Sequence, residues 1–252
     1  KVRLDAYNQL IKEFESARSH EDQCFTILNH SSSEVKRIST DSNVVAHESG
    51  VLALLKFLEY GGTSKNVEKL RSAGIIEALC EKGLSSSRAG TKEKTTQAIL
   101  YLVEISEHPV GVVDEILPFL SNRLPKFVVG CVNTLTAIIT NFGCQIINPS
   151  SIIAALPKLF GHADKNVRAE ATKLSVELYK WVRDALPTML FPQLKPIQQK
   201  DLTAAFEKVK QETPTQQRYT RRQQIEIAEK EAAAAAASAE SNDVEVATGD
   251  VE

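Results

Sequence analysis

The chain has 252 residues, a formal net charge of −2, 25% charged residues and only 6% aromatics. That length fits one sizeable domain or a short array, and the near-neutral balance gives no argument for a nucleic-acid partner unless charge is concentrated in one patch. Cys24, Cys80, Cys131 and Cys144 have no CxxC pairing and no histidine at ligand spacing, so buried reduced thiols in a cytosolic protein are expected rather than a metal site or a disulfide framework.

Residues 2–17 are amphipathic, with Leu4, Tyr7, Leu10, Ile11 and Phe14 on one helical face. A polar join over 19–33, broken by the apolar run 24–28, leads to a short helix at 34–39. Residues 44–60 form a helix with Val45, Val51, Leu52, Leu55 and Leu58 inward. The next helical stretch, 67–84, is expected to break at Ala73–Gly74. A Ser-rich loop over 85–90 precedes a helix at 92–106, followed by helical 109–123, a strongly apolar helix at 127–142, and helices at 151–160 and 167–183. A proline-punctuated segment over 186–196 leads to a last helix at 197–210. No apolar run is expected to reach bilayer length, so no membrane partner is implied, and no secretory leader is expected from a sequence that opens in mid-pattern, with upstream residues an open alternative.

The loops repeat. Their centres lie near residues 42, 87, 125 and 165, spacings of about 45, 38 and 40, the range of helical-hairpin repeats of the HEAT type. DSNVV at 41–45 echoes DKNVR at 164–168. A single hairpin cannot bury its own apolar face, so such repeats stack into an α-solenoid, and equivalent loops fall along one edge. In the last loop, Asp164, Lys165, Asn166 and Arg168 occupy a tight turn and the first turn of a helix. Helix starts disfavour cations, so Lys165 and Arg168 there suit an external carboxylate; the alternative reading of the same residues is a solvated turn with an Asp or Asn cap.

No phosphate loop, dinucleotide fingerprint or zincin motif is present, and the five histidines are scattered. A solenoid edge is wet and open, a poor place for catalysis, so no enzyme and no cofactor are expected. Residues 226–252 carry eight acids against Lys230, a net −7, so residues 1–225 carry +5. A mildly basic body suits an acidic partner. The tail, 211–252, reads as a linker. Residues 213–224 are polar and basic (Arg218, Arg221, Arg222), residues 225–238 hold an alanine run of high helix propensity without an apolar stripe, and 241–252 is expected to be disordered.

Several segments together resemble the TOG domain, the HEAT array of the microtubule-polymerase family. They are TDSNVVA at 40–46, EKGLSSSRA at 81–89, LPK at 124–126, GHADKNVR at 161–168, and LKPIQ at 194–198 followed by Lys200–Asp–Leu202 and Phe206. The last is similar to the end of the first TOG domain in fungal members, and KVRLDAY at 1–7 is similar to the helix after the family's first loop. The resemblance implies an all-α, paddle-like array of antiparallel helix pairs over 1–210. It implies binding of one curved αβ-tubulin dimer through Asn43, Val44, Ser86, Ser87, Arg88, Lys126, Lys165, Asn166 and Arg168. By the same resemblance, the loops holding Asn43–Val44 and Ser86–Arg88 would lie toward β-tubulin, and those holding Lys126 and Arg168 toward α-tubulin. It further implies a place in a plus-end polymerase of the cytoplasmic and spindle microtubules, with more TOG domains and a dimerisation region elsewhere. The family carries a Trp in its first loop at the position just before Lys1. Trp181, on the last repeat, is not its counterpart and is expected to pack against the C-terminal cap. The competing reading is a HEAT adaptor that binds a peptide or protein on a helical face.

Overall fold

The computed structural model describes residues 1–247, and among them every regular element is helical. Six helices form an inner layer: α1 (Val2–Glu15), α4 (Val44–Gly61), α7 (Ala89–Ile105), α9 (Pro125–Ile146), α11 (Lys165–Val182) and α13 (Pro196–Val209). The second layer is built from α3 (Ser32–Ile38), α5 (Ser64–Ser72), α6 (Ile75–Leu79), α8 (Pro109–Ile116), α10 (Ser150–Phe160) and α12 (Ala185–Leu190), each touching the next except that a 3-10 turn, Leu117–Ser121, bridges α8 and α10. The short α2 (Thr26–Asn29) follows a 3-10 turn that delivers Phe25 to the core.

Cross-contacts show that the first five inner helices run the same way. At their starts, the Tyr7 hydroxyl donates to Asp41 at 2.7 Å and Arg88 pairs with Glu48 at 2.6 Å. Thr96 and Thr134 meet at 3.5 Å between α7 and α9. Near their ends, Lys56 reaches Glu15 at 3.6 Å and Trp181 covers Gly143. These five inner helices therefore begin on one edge and end on the other, the arrangement the loop spacing anticipated.

The core is continuous from end to end. Phe14, Phe25 and Phe57 pack with ring centroids 5.3 to 5.9 Å apart, which joins α1 to α4. In α9, Val128, Cys131, Val132, Leu135, Ile138, Ile139 and Phe142 are all fully buried. Contrary to expectation, this 22-residue helix is long and apolar enough to cross a membrane. Its apolar surface is instead used by its neighbours in the array. All four cysteines are free thiols.

Three further expectations change. Val45 is not inward but 49% exposed, because the first turn of α4 projects at the edge; Leu54 and Phe57 take the core positions instead. Trp181 packs on α9, over Gly143, and the C-terminal cap is held by Tyr179 stacked on Phe206 at 4.3 Å. Gly143 has φ 74°, and a Cβ there would lie 2.5 Å from the indole, so this position needs both the left-handed backbone and the missing side chain. Finally, α14 (Arg221–Ala247) continues as helix through 241–247, where disorder was expected. Residues 248–252 lie outside the described residues.

The break expected at Ala73–Gly74 is present, with Gly74 at φ 83° separating α5 from α6. The α6 helix then widens into a π turn over Cys80–Leu84 before the second loop.

Candidate functional site

The first loop is built around Asp41, which is buried. Its carboxylate accepts from the Tyr7 hydroxyl and the Asn43 amide (2.9 Å) and pairs with Arg3 at 3.2 Å. Burial pushes this carboxyl up, but the Asn43 amide, Tyr7 and Arg3 outweigh burial and leave it below the ordinary value. Asn43 caps α4: its Oδ1 accepts from the amides of Val45 and Ala46 at 3.2 and 3.0 Å. With the backbone so held, Val44 stands 54% exposed at the helix start beside Val45.

In the second loop the Ser86 hydroxyl accepts from the Arg88 amide at 3.2 Å, and Ser87 is exposed. The Arg88 guanidinium donates from Nε and Nη2 to Glu48 Oε2, at 2.7 and 2.6 Å, and Lys94 holds Glu48 Oε1 at 3.0 Å. Lys94 first and Arg88 next keep the Glu48 carboxyl below the usual carboxylate range. The third loop places Leu124, 63% exposed, and then Lys126 on the first turn of α9. Between the starts of α7 and α9 runs a groove of about 430 Å³ flanked by Lys92, Glu93, Thr96, Lys126, Val129 and Asn133.

The fourth loop is tied to itself. Asp164 caps α11 through the amides of Asn166 (2.8 Å) and Val167 (3.2 Å), and His162 Nδ1 accepts from the Asp164 amide. Arg168 Nη1 donates to the carbonyls of His162 and Ala163 at 2.7 and 2.8 Å. Lys165 and Asn166 are exposed, with side chains that make no hydrogen bond among the described residues.

The nine residues singled out in the sequence thus lie on four helix starts along one edge, although they do not converge on a pocket. Their parts differ. Asn43 and Ser86 shape their loops, and Arg88 and Arg168 already hold internal acceptors. Val44, Ser87, Lys126, Lys165 and Asn166 present free surface. Sequence reasoning missed Arg3, Glu48, Lys92, Lys94 and the exposed Leu124 on the same edge. Glu48 precedes Arg88 by 40 residues, about one repeat, so a search for opposite charges one repeat apart could have found it. No group of three or more His, Cys, Asp or Glu side chains that could hold a metal occurs among the described residues.

Comparison with known proteins places this geometry. A family model described as XMAP215/Dis1/CLASP, TOG domain matches residues 1–206. The chain is 38% identical over 224 residues to the spindle pole body component alp14 of Schizosaccharomyces pombe, covering 89% of this chain and 27% of that protein. It is 31% identical over 247 residues to the protein mini spindles of Drosophila melanogaster, covering 96% of this chain and 12% of that one. The chain therefore spans about a quarter or less of these curated relatives. A solved structure described as the structural basis of tubulin recruitment and assembly by microtubule polymerases with TOG domain arrays superposes with a TM-score of 0.81. It is 38% identical and covers 91% of this chain and 48% of that one. The third TOG domain of Drosophila mini spindles shares the fold, with a TM-score of 0.69 at 22% identity over 84% of this chain and 90% of that one. With its helix starts aligned on one edge and this match across the whole array, the chain belongs to the XMAP215/Dis1/CLASP TOG-domain family.

Proposed function

We propose that the edge of helix starts binds one curved αβ-tubulin dimer and that the chain is a tubulin-recruiting module of a microtubule plus-end polymerase. The observation that carries the reading is the alignment of Val44, Arg88, Lys126 and Lys165 on successive helix starts, an apolar contact followed by three cations. An acidic partner is steered by such a row and held by charge-assisted hydrogen bonds. The loops with Asn43–Val44 and Ser86–Arg88 face β-tubulin in this reading. Those with Lys126 and with Lys165, Asn166 and Arg168 face α-tubulin. Ser87 and Asn166 add hydrogen bonds.

The internal bonds refine the roles. Arg88 meets a partner carboxylate by sharing or exchanging Glu48, whereas Arg168 keeps Nη1 on its own loop and offers its remaining donors outward. The chain acts by binding rather than by chemistry. Further TOG domains and a dimerisation region elsewhere in the protein would raise the local concentration of tubulin at the growing end. Support for the polymerase role comes from the 38% identical array described with tubulin recruitment, and for a place at spindle microtubules from the relatives' names.

The test is size-exclusion chromatography of the 252-residue chain with purified αβ-tubulin at low salt, beside the double variant Lys126→Glu/Lys165→Glu. Both lysines are exposed, so the fold is spared. A 1:1 co-eluting peak that collapses in the variant supports the reading. Undiminished co-elution of the variant removes the edge as the site and turns attention to a helical face.

A further inference from the structure

The segment that follows the repeats does not leave the body. It runs back across the edge where the inner helices end. Its anchor is Arg183, which caps α11 at φ 52°, a conformation unusual for a residue with a side chain. The Arg183 guanidinium donates to the carbonyls of Lys210 (3.1 Å) and Glu212, and Lys180 pairs with Glu212 at 3.0 Å. Next, the amides of Gln217 and Arg218 both donate to the Asn141 carbonyl on α9, at 3.0 and 2.9 Å. Arg218 then lies 4.2 Å over the Tyr101 ring and donates from Nε to Glu104 Oε1 at 2.8 Å, both on α7. Arg221 takes the other oxygen, Glu104 Oε2, at 2.6 Å and also reaches the Glu59 carbonyl on α4 at 3.4 Å. Thr220 is buried and closes the segment: its hydroxyl accepts from the Gln223 amide, while Gln223 Oε1 accepts from the Thr220 amide.

We infer that residues 211–224 are a clamp of the array, joining the ends of α11, α9, α7 and α4 and setting the point from which α14 departs. In a solenoid each repeat touches only its neighbours. The clamp supplies what that architecture lacks, a link across several repeats at once, on the edge opposite the loops. Glu104 is its keystone, because one nearly buried carboxylate satisfies two arginines. The folded unit therefore extends past residue 206, where the family match ends, and the helix that follows starts from a fixed seat instead of a flexible linker.

Hydrogen exchange on the full 252-residue chain tests this without tubulin, so its outcome is independent of the binding proposal. In the unaltered chain, the amides of Gln217 and Arg218 are expected to be protected. In the variant Arg218→Gln/Arg221→Gln, their protection falls by about tenfold or more. The amides of Gly62 and Ser106, at the ends of α4 and α7, exchange faster in parallel, while those at the helix starts do not change. Unprotected amides at 217 and 218 in the unaltered chain would overturn the clamp. So would a variant in which Gly62 and Ser106 are unmoved, because the segment would then be a passive passenger. Should the double variant lose its fold, Glu104→Gln, which keeps the shape and removes the charge, gives the same readout.

Discussion

Arginine does different work on the two edges of the array. Where the inner helices begin, Arg88 and Arg168 sit on short loops beside exposed lysines, and their internal acceptors are at hand but wet. Where the inner helices end, Arg218 and Arg221 share the Glu104 carboxylate, whose side chain is 9% exposed, and Arg218 also covers an aromatic ring. Exposed ion pairs contribute about 0–1 kcal/mol, whereas removing one partner of a buried pair costs several. Access to water, rather than residue type or local spacing, separates a charge available to a partner from one that holds the fold.

The most damaging way to break that contrast is Glu104→Ala. It strands two guanidinium groups and is expected to cost about 2–3 kcal/mol, less than the 3–5 of a fully buried pair because the Arg221 side chain is 35% exposed. Urea unfolding measures it, and an unchanged midpoint would place the two edges on the same footing. Lys126→Glu, on the other edge, should leave unfolding within about 0.5 kcal/mol of the parent. It should weaken tubulin binding by about tenfold, or 1.4 kcal/mol, as read by fluorescence titration. If stability falls and binding does not, Lys126 belongs to the fold.

Thr220→Ala removes the cap that joins clamp to helix. About 1 kcal/mol of helix stability is expected to be lost, seen as faster amide exchange in the first turn of α14 with the repeats unaffected.

The smallest effects come from pH. Lys94 and Arg88 depress the Glu48 carboxyl, so its stabilising pair is present above the ordinary glutamate pKa of about 4.3 and is lost as pH falls through the lower folded value. A carboxyl NMR titration should place its midpoint below that of an exposed glutamate. His47, behind the first loop, has the opposite origin: burial lowers its pKa. The unfolded chain takes up a proton first, so stability declines as pH drops below about 6.5 and stops declining below the folded value. His47→Gln should flatten that part of a stability-against-pH profile.

The helices and their order were legible because their causes are local. Apolar spacing of three and four residues marks the buried faces of α9, α10 and α11. Caps such as Asn43 and Asp164, and the breaker Gly74, mark where helices start or stop. The loop spacing near 40 residues carried the solenoid, and the loop residues carried the family. Even so, an amphipathic pattern does not say where a helix meets the edge, which is why Val45 was placed inward. The internal acceptors of Arg88 and Arg168 were hidden for a related reason: a carboxylate 40 residues away and two loop carbonyls are not visible in a motif.

The sequence by itself determined an all-helical repeat array, its loop-bearing edge, and the residue types displayed there. Only the tertiary structure decided that Trp181 belongs to Gly143, that Glu48 restrains Arg88, and that a basic stretch resembling a linker folds back onto Glu104. The physical reason is separation along the chain. Helix formation is settled by neighbours within a few residues, whereas the Glu104 pairs join groups 114 and 117 residues apart. Such pairs exist only after stacked repeats have brought their ends together and excluded the water that would otherwise screen them.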